Sequence, residues 1–158
     1  YYVNTAMGDA LRQDHPFTIK FYFDWQMEVM APAFFQLFNS LTNDEILPFA
    51  LAHNHTNSAS AVWEYLQNHP VHSVHHRKAM NSVDALGVGA LANDFDWDQC
   101  STLIDVGGST GSFLANILRS HARLRGVLFD VASSVDEAEA SWAHKYPELV
   151  GRVSFARG

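Results

Sequence analysis

Leu103-Ile104-Asp105-Val106-Gly107-Gly108-Ser109-Thr110-Gly111-Ser112-Phe113-Leu114 is the stretch that most limits what this chain can become. Its first residues read as a buried strand, its glycines as a turn, and Ser112 onward as the start of a helix. Gly107, Gly108 and Gly111 let the backbone bend sharply and approach a ligand closely. Ser109, Thr110 and Ser112 bring hydroxyls and backbone N–H groups to a helix start, where polar or anionic groups are favoured.

The residues around the turn repeat its logic. Thr102 to Val106 is a strand, and Ser112 to Ser120 a helix with Phe113, Leu114, Ile117 and Leu118 on its inner face. Gly126 to Asp130 is a second strand, Val135 to Tyr146 a helix stopped by Pro147, and Arg152 to Ala156 a third strand. Short apolar strands joined by helices of this length imply βαβ crossovers, hence a parallel sheet covered on both faces. The fold class is therefore α/β, with residues 93–158 supplying the first half of a doubly wound sheet.

Residues 1–92 read instead as a helical segment. Tyr1 to Thr5 resembles the end of a strand, and Met7 to Arg12 a helical turn broken at Asp14-His15-Pro16. Phe21, Trp25 and Val29 share a helical face, continued by Phe34, Leu37, Phe38 and Leu41, with Pro32 dividing two helices. That aromatic stripe suits a core or a subunit interface. Asn43 and Asp44 can cap a short helix ending near Ala52, and His53 to Ser60 is a polar loop. Further helices follow over Ala61 to Asn68 and Val71 to Leu91, then a polar connector from Asn93 to Gln99.

Composition excludes several classes. The chain is 47% hydrophobic, enough for a core, and its net charge of −7 without a dense Lys/Arg run argues against nucleic acid or an anionic membrane surface. No apolar run approaches the ~20 residues that span a bilayer. Cys100 is the single cysteine, which rules out an internal disulfide and suits a reducing, cytoplasmic compartment. The chain opens on Tyr1 without a signal-peptide pattern, as though cut from something longer.

The glycine spacing narrows the ligand. A dinucleotide fingerprint starting at Gly107 needs glycines at 109 and 112, and both are serine. A nicotinamide dehydrogenase therefore fits poorly. The pattern D-x-G-G-S-T-G, with Asp105 at the strand end, suits a nucleoside whose tail is an amino acid, its ammonium meeting a carboxylate. Asp130, about 20 residues after the turn, can accept from both ribose hydroxyls and disfavours a 2′-phosphate. The bland alternative is a packing turn and an aspartate that caps the next helix.

Leu103 to Leu114, with Leu124-Arg125-Gly126-Val127-Leu128-Phe129-Asp130, resembles the S-adenosylmethionine-dependent O-methyltransferases of the caffeate, hydroxyindole and bacterial-antibiotic type. Leu11-Arg12-Gln13-Asp14-His15-Pro16 is similar to the segment after that family's winged-helix wing. Pro48-Phe49-Ala50, Trp63-Glu64-Tyr65-Leu66 with His69-Pro70, and Ala79-Met80 are similar to its linker helices. The resemblance implies a Rossmann-like class I methyltransferase half-domain after the end of a winged-helix dimerisation domain. It also implies S-adenosyl-L-methionine as cofactor and methyl transfer to a hydroxyl of a small, aromatic acceptor. Asp105, Gly107, Gly108, Ser109, Gly111 and Asp130 would then bind the cofactor, with Gly107 at the methionine tail. Met80 and His76 would lie by the acceptor, and a second copy or another chain would cover exposed surface.

Several positions depart from that family. Ser109 replaces the third of three consecutive glycines, so the backbone there must avoid glycine-only angles. His76 stands where an aromatic residue often precedes the Ala-Met pair. The acidic residue near the adenine and the catalytic histidine are expected beyond Gly158, so no catalytic residue is assigned. A non-catalytic, methyltransferase-like scaffold subunit is the competing function.

The histidines offer no clear substitute for that base. His72, His75 and His76 stand at i, i+3, i+4, yet no Cys, Asp or Glu lies between Val71 and Met80 to complete a metal shell. His53 and His55 are separated by alternation, His121 and His144 sit near helix ends, and Cys100 suits packing rather than nucleophilic attack.

Overall fold

The computed structural model describes residues 2–158, at Val88 and Gly89 the helical backbone alone, and it divides into two compact units, Tyr1–Ser82 and Val83–Gly158. In the first unit the Thr5 hydroxyl accepts the Gly8 N–H at 3.2 Å and so starts α1 (Ala6–Asp9). Tyr1 of the expected strand end lies outside the described residues, and Tyr2 to Thr5 join no strand. α2 (Lys20–Trp25) runs into a π-helical turn over Gln26–Met30 and then α3 (Ala31–Phe35), with Pro32 in its first turn. The break expected at Pro32 is thus absent. The wide turn just before it accommodates a residue that has no N–H to donate. The helix is interrupted at Gln36 instead, before α4 (Leu37–Thr42).

α5 (Pro48–Ala52) starts at its proline rather than at Asn43 or Asp44, neither of which caps it. The Asn57 side chain accepts the Leu47 N–H at 2.8 Å and holds that entry. α6 (Ala61–Asn68) and α7 (Pro70–Asp94) meet at His69-Pro70, and α7 from Val83 onward belongs to the second unit. Trp25, Val29, Phe49, Tyr65, Leu66 and Ala79 form the core of the first unit. The aromatic stripe therefore splits. Its first half is core, whereas Phe34, Phe35, Phe38 and Leu41 remain exposed.

The second unit carries β1 (Thr102–Val106), α8 (Ser112–Ser120), β2 (Arg125–Asp130), α9 (Ala132–Lys145) and β3 (Val153–Arg157). The three strands are parallel in the order β1-β2-β3, with Leu103, Gly126 and Val153 in one row and Asp105, Leu128 and Phe155 in the next. Gly126 is where α8 leans on the sheet: a Cβ there would lie 3.0 Å from methyls of Leu114 and Leu118. Trp142 of α9 sits edge-on to Phe155, ring centres 5.6 Å apart.

Both helices thus cover the same face, which corrects the expectation of cover on both. Crossovers of one hand that step in one direction along a sheet place their helices on one side; cover on the other requires a reversal of direction. On that other face Ile104 and Val106 are 59% and 73% exposed. Two further findings concern the approach to β1. Trp97 lies in the connector as expected, but its ring is buried in the core, its indole N–H donating to the Leu91 carbonyl at 3.2 Å. Cys100 is exposed rather than packed. No helix among the described residues is long and apolar enough to cross a membrane.

Candidate functional site

The turn after β1 is pinned from three sides. The Gly107 N–H donates to the Phe129 carbonyl of β2 at 2.8 Å and the Gly108 N–H to the same oxygen at 3.4 Å. Gly107 (φ +77°) and Gly111 (φ +80°) both take left-handed angles that glycine adopts freely. A Cβ at Gly111 would come within 2.4 Å of Trp142, so α9 closes the inner side. A Cβ at Gly108 would lie 2.5 Å from both Asp105 Oδ2 and Leu128 Cδ1, whereas one at Gly107 would meet nothing within 4 Å. The side of the turn that can receive a ligand is therefore the Gly107 side. Gly108→Ala is expected to cost about 1–3 kcal/mol through overpacking, read as a lowered thermal unfolding midpoint.

Ser109 does not behave as its side chain suggests. Its φ of +50° is left-handed, an angle uncommon for a residue with a Cβ though not one reserved for glycine. The compensation is local: the Ser109 N–H donates to Asp130 Oδ2 at 2.8 Å. Asp130 Oδ1 accepts the Val131 N–H at 2.7 Å, so the carboxylate at the end of β2 is held against the turn from two directions.

The expected donors at the helix start are largely engaged within the protein. The Ser109 N–H is given to Asp130, Thr110 is buried, and the Ser112 hydroxyl donates to Asp84 Oδ2 on α7 at 2.6 Å. What surrounds the turn is acidic instead: Asp84, Asp105 and Asp130. Asp105 Oδ2 is buried with no hydrogen-bond partner among the described residues. The Asp105 carboxyl is pushed above its ordinary range by burial, then by the charge of Asp84, with Asp130 adding a little and a backbone hydrogen bond at Leu114 opposing. An orphaned, desolvated carboxylate in an acidic setting fits a ligand with a cationic group. It does not fit a pyrophosphate, which would meet three negative charges.

Asp84 carries no motif that marks it in the sequence. Its role follows from helix α7 passing the start of α8, which spacing along the chain does not reveal.

The two residues expected near an acceptor belong to the first unit. Met80 packs on that unit's core, and the His76 ring stands edge-on to Trp25 at 4.8 Å and Trp63 at 5.8 Å. Burial, and secondarily the charge of Arg77, lower the His76 pKa. A histidine pKa depressed by folding supports stability above the unfolded value of about 6.5 and loses that support as pH falls through the folded one. NMR titration of His76 is therefore expected to show a midpoint below that of an exposed histidine, with loss of stability on the acid side.

His72, His75 and His76 diverge despite their spacing. His72 Nδ1 is 2.7 Å from the Tyr65 hydroxyl, and His75 lies 3.9 Å from Glu28. His53 Nε2 donates to the Val29 carbonyl, 2.8 Å away, while His55 is 3.8 Å from Glu64. His121 is paired with the Ala92 carbonyl at 2.9 Å, and His144 lies in the last turn of α9.

A family model described as the O-methyltransferase domain matches residues 35–158. The chain belongs to this family. S-adenosyl-L-methionine is the family's methyl donor. The 2,7-dihydroxy-5-methyl-1-naphthoate 7-O-methyltransferase of Streptomyces carzinostaticus is 27% identical over 144 residues, covering 89% of this chain and 40% of that protein. The grayanic acid biosynthesis cluster O-methyltransferase of Cladonia grayi is 33% identical over 115 residues, 68% of this chain and 24% of that one. Among solved structures, CalO1, a methyltransferase in calicheamicin biosynthesis in its SAH-bound form, superposes with a TM-score of 0.74 at 26% identity. That superposition covers 98% of this chain and 44% of CalO1. The chain thus spans less than half the length of these O-methyltransferase relatives. Its three-stranded parallel sheet with flanking helices resembles their class I fold.

Proposed function

We propose that the protein binds S-adenosyl-L-methionine at the glycine turn and takes part in methyl transfer to a hydroxyl of a small aromatic acceptor. The observation that carries this reading is the acidic ring around the turn, with Asp105 Oδ2 buried and unpartnered. A nucleoside with an ammonium-bearing tail supplies the missing counter-charge. The bound cofactor supplies an activated methyl group on a sulfonium. Asp130 would take the ribose hydroxyls on lone pairs left over after Ser109 and Val131, since a carboxylate has about four acceptor sites. The Gly107 and Gly108 backbone would lie along the methionine tail, Asp105 would face its ammonium, and Ser109 and Gly111 would set the turn's shape.

The acceptor class follows from the relatives, one of which is named for a dihydroxynaphthoate. Met80 and His76 would contribute to that pocket. Holding the acceptor oxygen in line with the methyl group supplies much of the rate in such a transfer. The acceptor's proton would go to a histidine base, as the family resemblance implies. The exposed Phe34, Phe35, Phe38 and Leu41 support a homodimer or other partner chain over that face. The free thiol of Cys100 suits a reducing, cytoplasmic compartment.

Calorimetric titration with S-adenosylhomocysteine tests the reading. Saturable binding at micromolar concentration is expected, with NADH failing to compete. Absence of binding at millimolar ligand would overturn it.

A further inference from the structure

Asp84 lies on α7, well before the glycine turn in sequence, yet it is tied to the first residue of α8. Ser112 Oγ donates to its Oδ2 at 2.6 Å, across 28 positions of sequence. Its charge acts on Asp105, whose own Oδ2 is buried without a partner beneath Gly108. Like charges brought together in a half-buried place cost stability unless a cation relieves them. Three arginines of this unit have partners away from the turn. Arg119 pairs with Glu148, Arg157 with Asp136 and Glu139, and Arg152 donates to the carbonyls of His121 and Leu124. Among the described residues none of the ion pairs includes Asp84, Asp105 or Asp130.

We propose that Asp84 is a positioning and specificity residue of the donor site, forming with Asp105 a carboxylate pair that receives the ammonium of the donor's amino-acid tail. Ser112 holds the Asp84 carboxylate at the turn, and α7 thereby contributes to a site otherwise built from the ends of β1 and β2. Asp130 selects the nucleoside; Asp84 selects for its tail. This rests on the methyl-donor reading and assigns Asp84 a part that no glycine motif encodes.

The test compares two ligands on the same protein by calorimetry: S-adenosylhomocysteine, which carries the tail, and 5′-methylthioadenosine, which keeps the nucleoside and thioether but lacks it. Asp84→Asn retains a group that can accept from Ser112 while removing the charge. It is expected to weaken S-adenosylhomocysteine by roughly tenfold or more, the scale of a lost charge-assisted hydrogen bond, and to leave methylthioadenosine within about twofold. Ser112→Ala should move the same ratio in the same direction by less. Equal losses for both ligands would make Asp84 a structural tie only and overturn the inference, as would no change for either. If the unaltered protein binds both ligands equally well, the tail is not recognised and the inference falls while nucleoside binding stands. If it binds neither, the donor reading itself fails and takes this inference with it.

Discussion

Asp130→Ala is expected to weaken S-adenosylhomocysteine binding by on the order of a hundredfold or more, because two hydrogen bonds to a charged acceptor are lost together. The size follows from how the carboxylate is held. With the Ser109 N–H on one oxygen at 2.8 Å and the Val131 N–H on the other at 2.7 Å, its orientation is fixed before ligand arrives. Ordering entropy is therefore small, and the binding loss in the variant reflects the contact itself. The same anchoring gives Asp130 a structural share. Ser109 sits at φ +50° with its N–H held by Asp130, so alanine at 130 is also expected to loosen the turn. Asp130→Asn grades the two effects. Its amide keeps one acceptor oxygen and can satisfy only one of the Ser109 and Val131 N–H groups, so it should fall between Asp130→Ala and the unaltered protein in both binding and thermal midpoint. Equal binding by all three proteins would show that the end of β2 does not hold the nucleoside.

Legibility in the sequence divides along physical lines. β1, α8 and β2 were readable to within a residue because local signals agree there: an apolar strand, left-handed glycines, and an amphipathic helix with Leu114, Ile117 and Leu118 fully buried. Cover of the sheet was not readable, since it depends on the direction in which successive crossovers step. Pro32 misled because a π-helical turn absorbed a residue whose intrinsic effect is to end a helix. The donors of the turn were over-read for a similar reason. Ser109, Thr110 and Ser112 advertise donors, but a donor's availability depends on partners distant in sequence. Asp84 and Asp130 claim those of Ser112 and Ser109, and of the two signals at the turn, hydroxyl and N–H donors against the Asp105 carboxylate, the acidic one is left uncompensated.

That lack of compensation puts Asp105 in the position of a residue kept at a cost to stability, and the cost has a sign that pH can read. Burial and the charge of Asp84 raise its pKa in the folded chain above the ordinary 3.8, so the folded state holds this proton more tightly than the unfolded state does. The resulting stabilisation is complete below pH 3.8 and is lost as pH rises through the folded value. At neutral pH the ionised carboxylate therefore weakens the ligand-free fold. Asp105→Asn removes the charge and is expected to raise the thermal midpoint at pH 7 by roughly 2–4 °C, an advantage that shrinks as the medium is acidified toward the ordinary carboxylate range. Binding should move the other way, with S-adenosylhomocysteine weakened by roughly tenfold as the tail loses its counter-charge. Opposite changes in stability and affinity from one substitution are what a strained binding residue produces. An Asp105 that merely packed beneath Gly108 would lower both. In the unaltered protein, an ammonium brought beside Asp105 must also lower its pKa. Binding is then expected to release protons near that pKa and to tighten as pH rises through it. Titrations in two buffers of different ionisation enthalpy would detect that release, and identical heats in both would exclude Asp105 as the ammonium's partner.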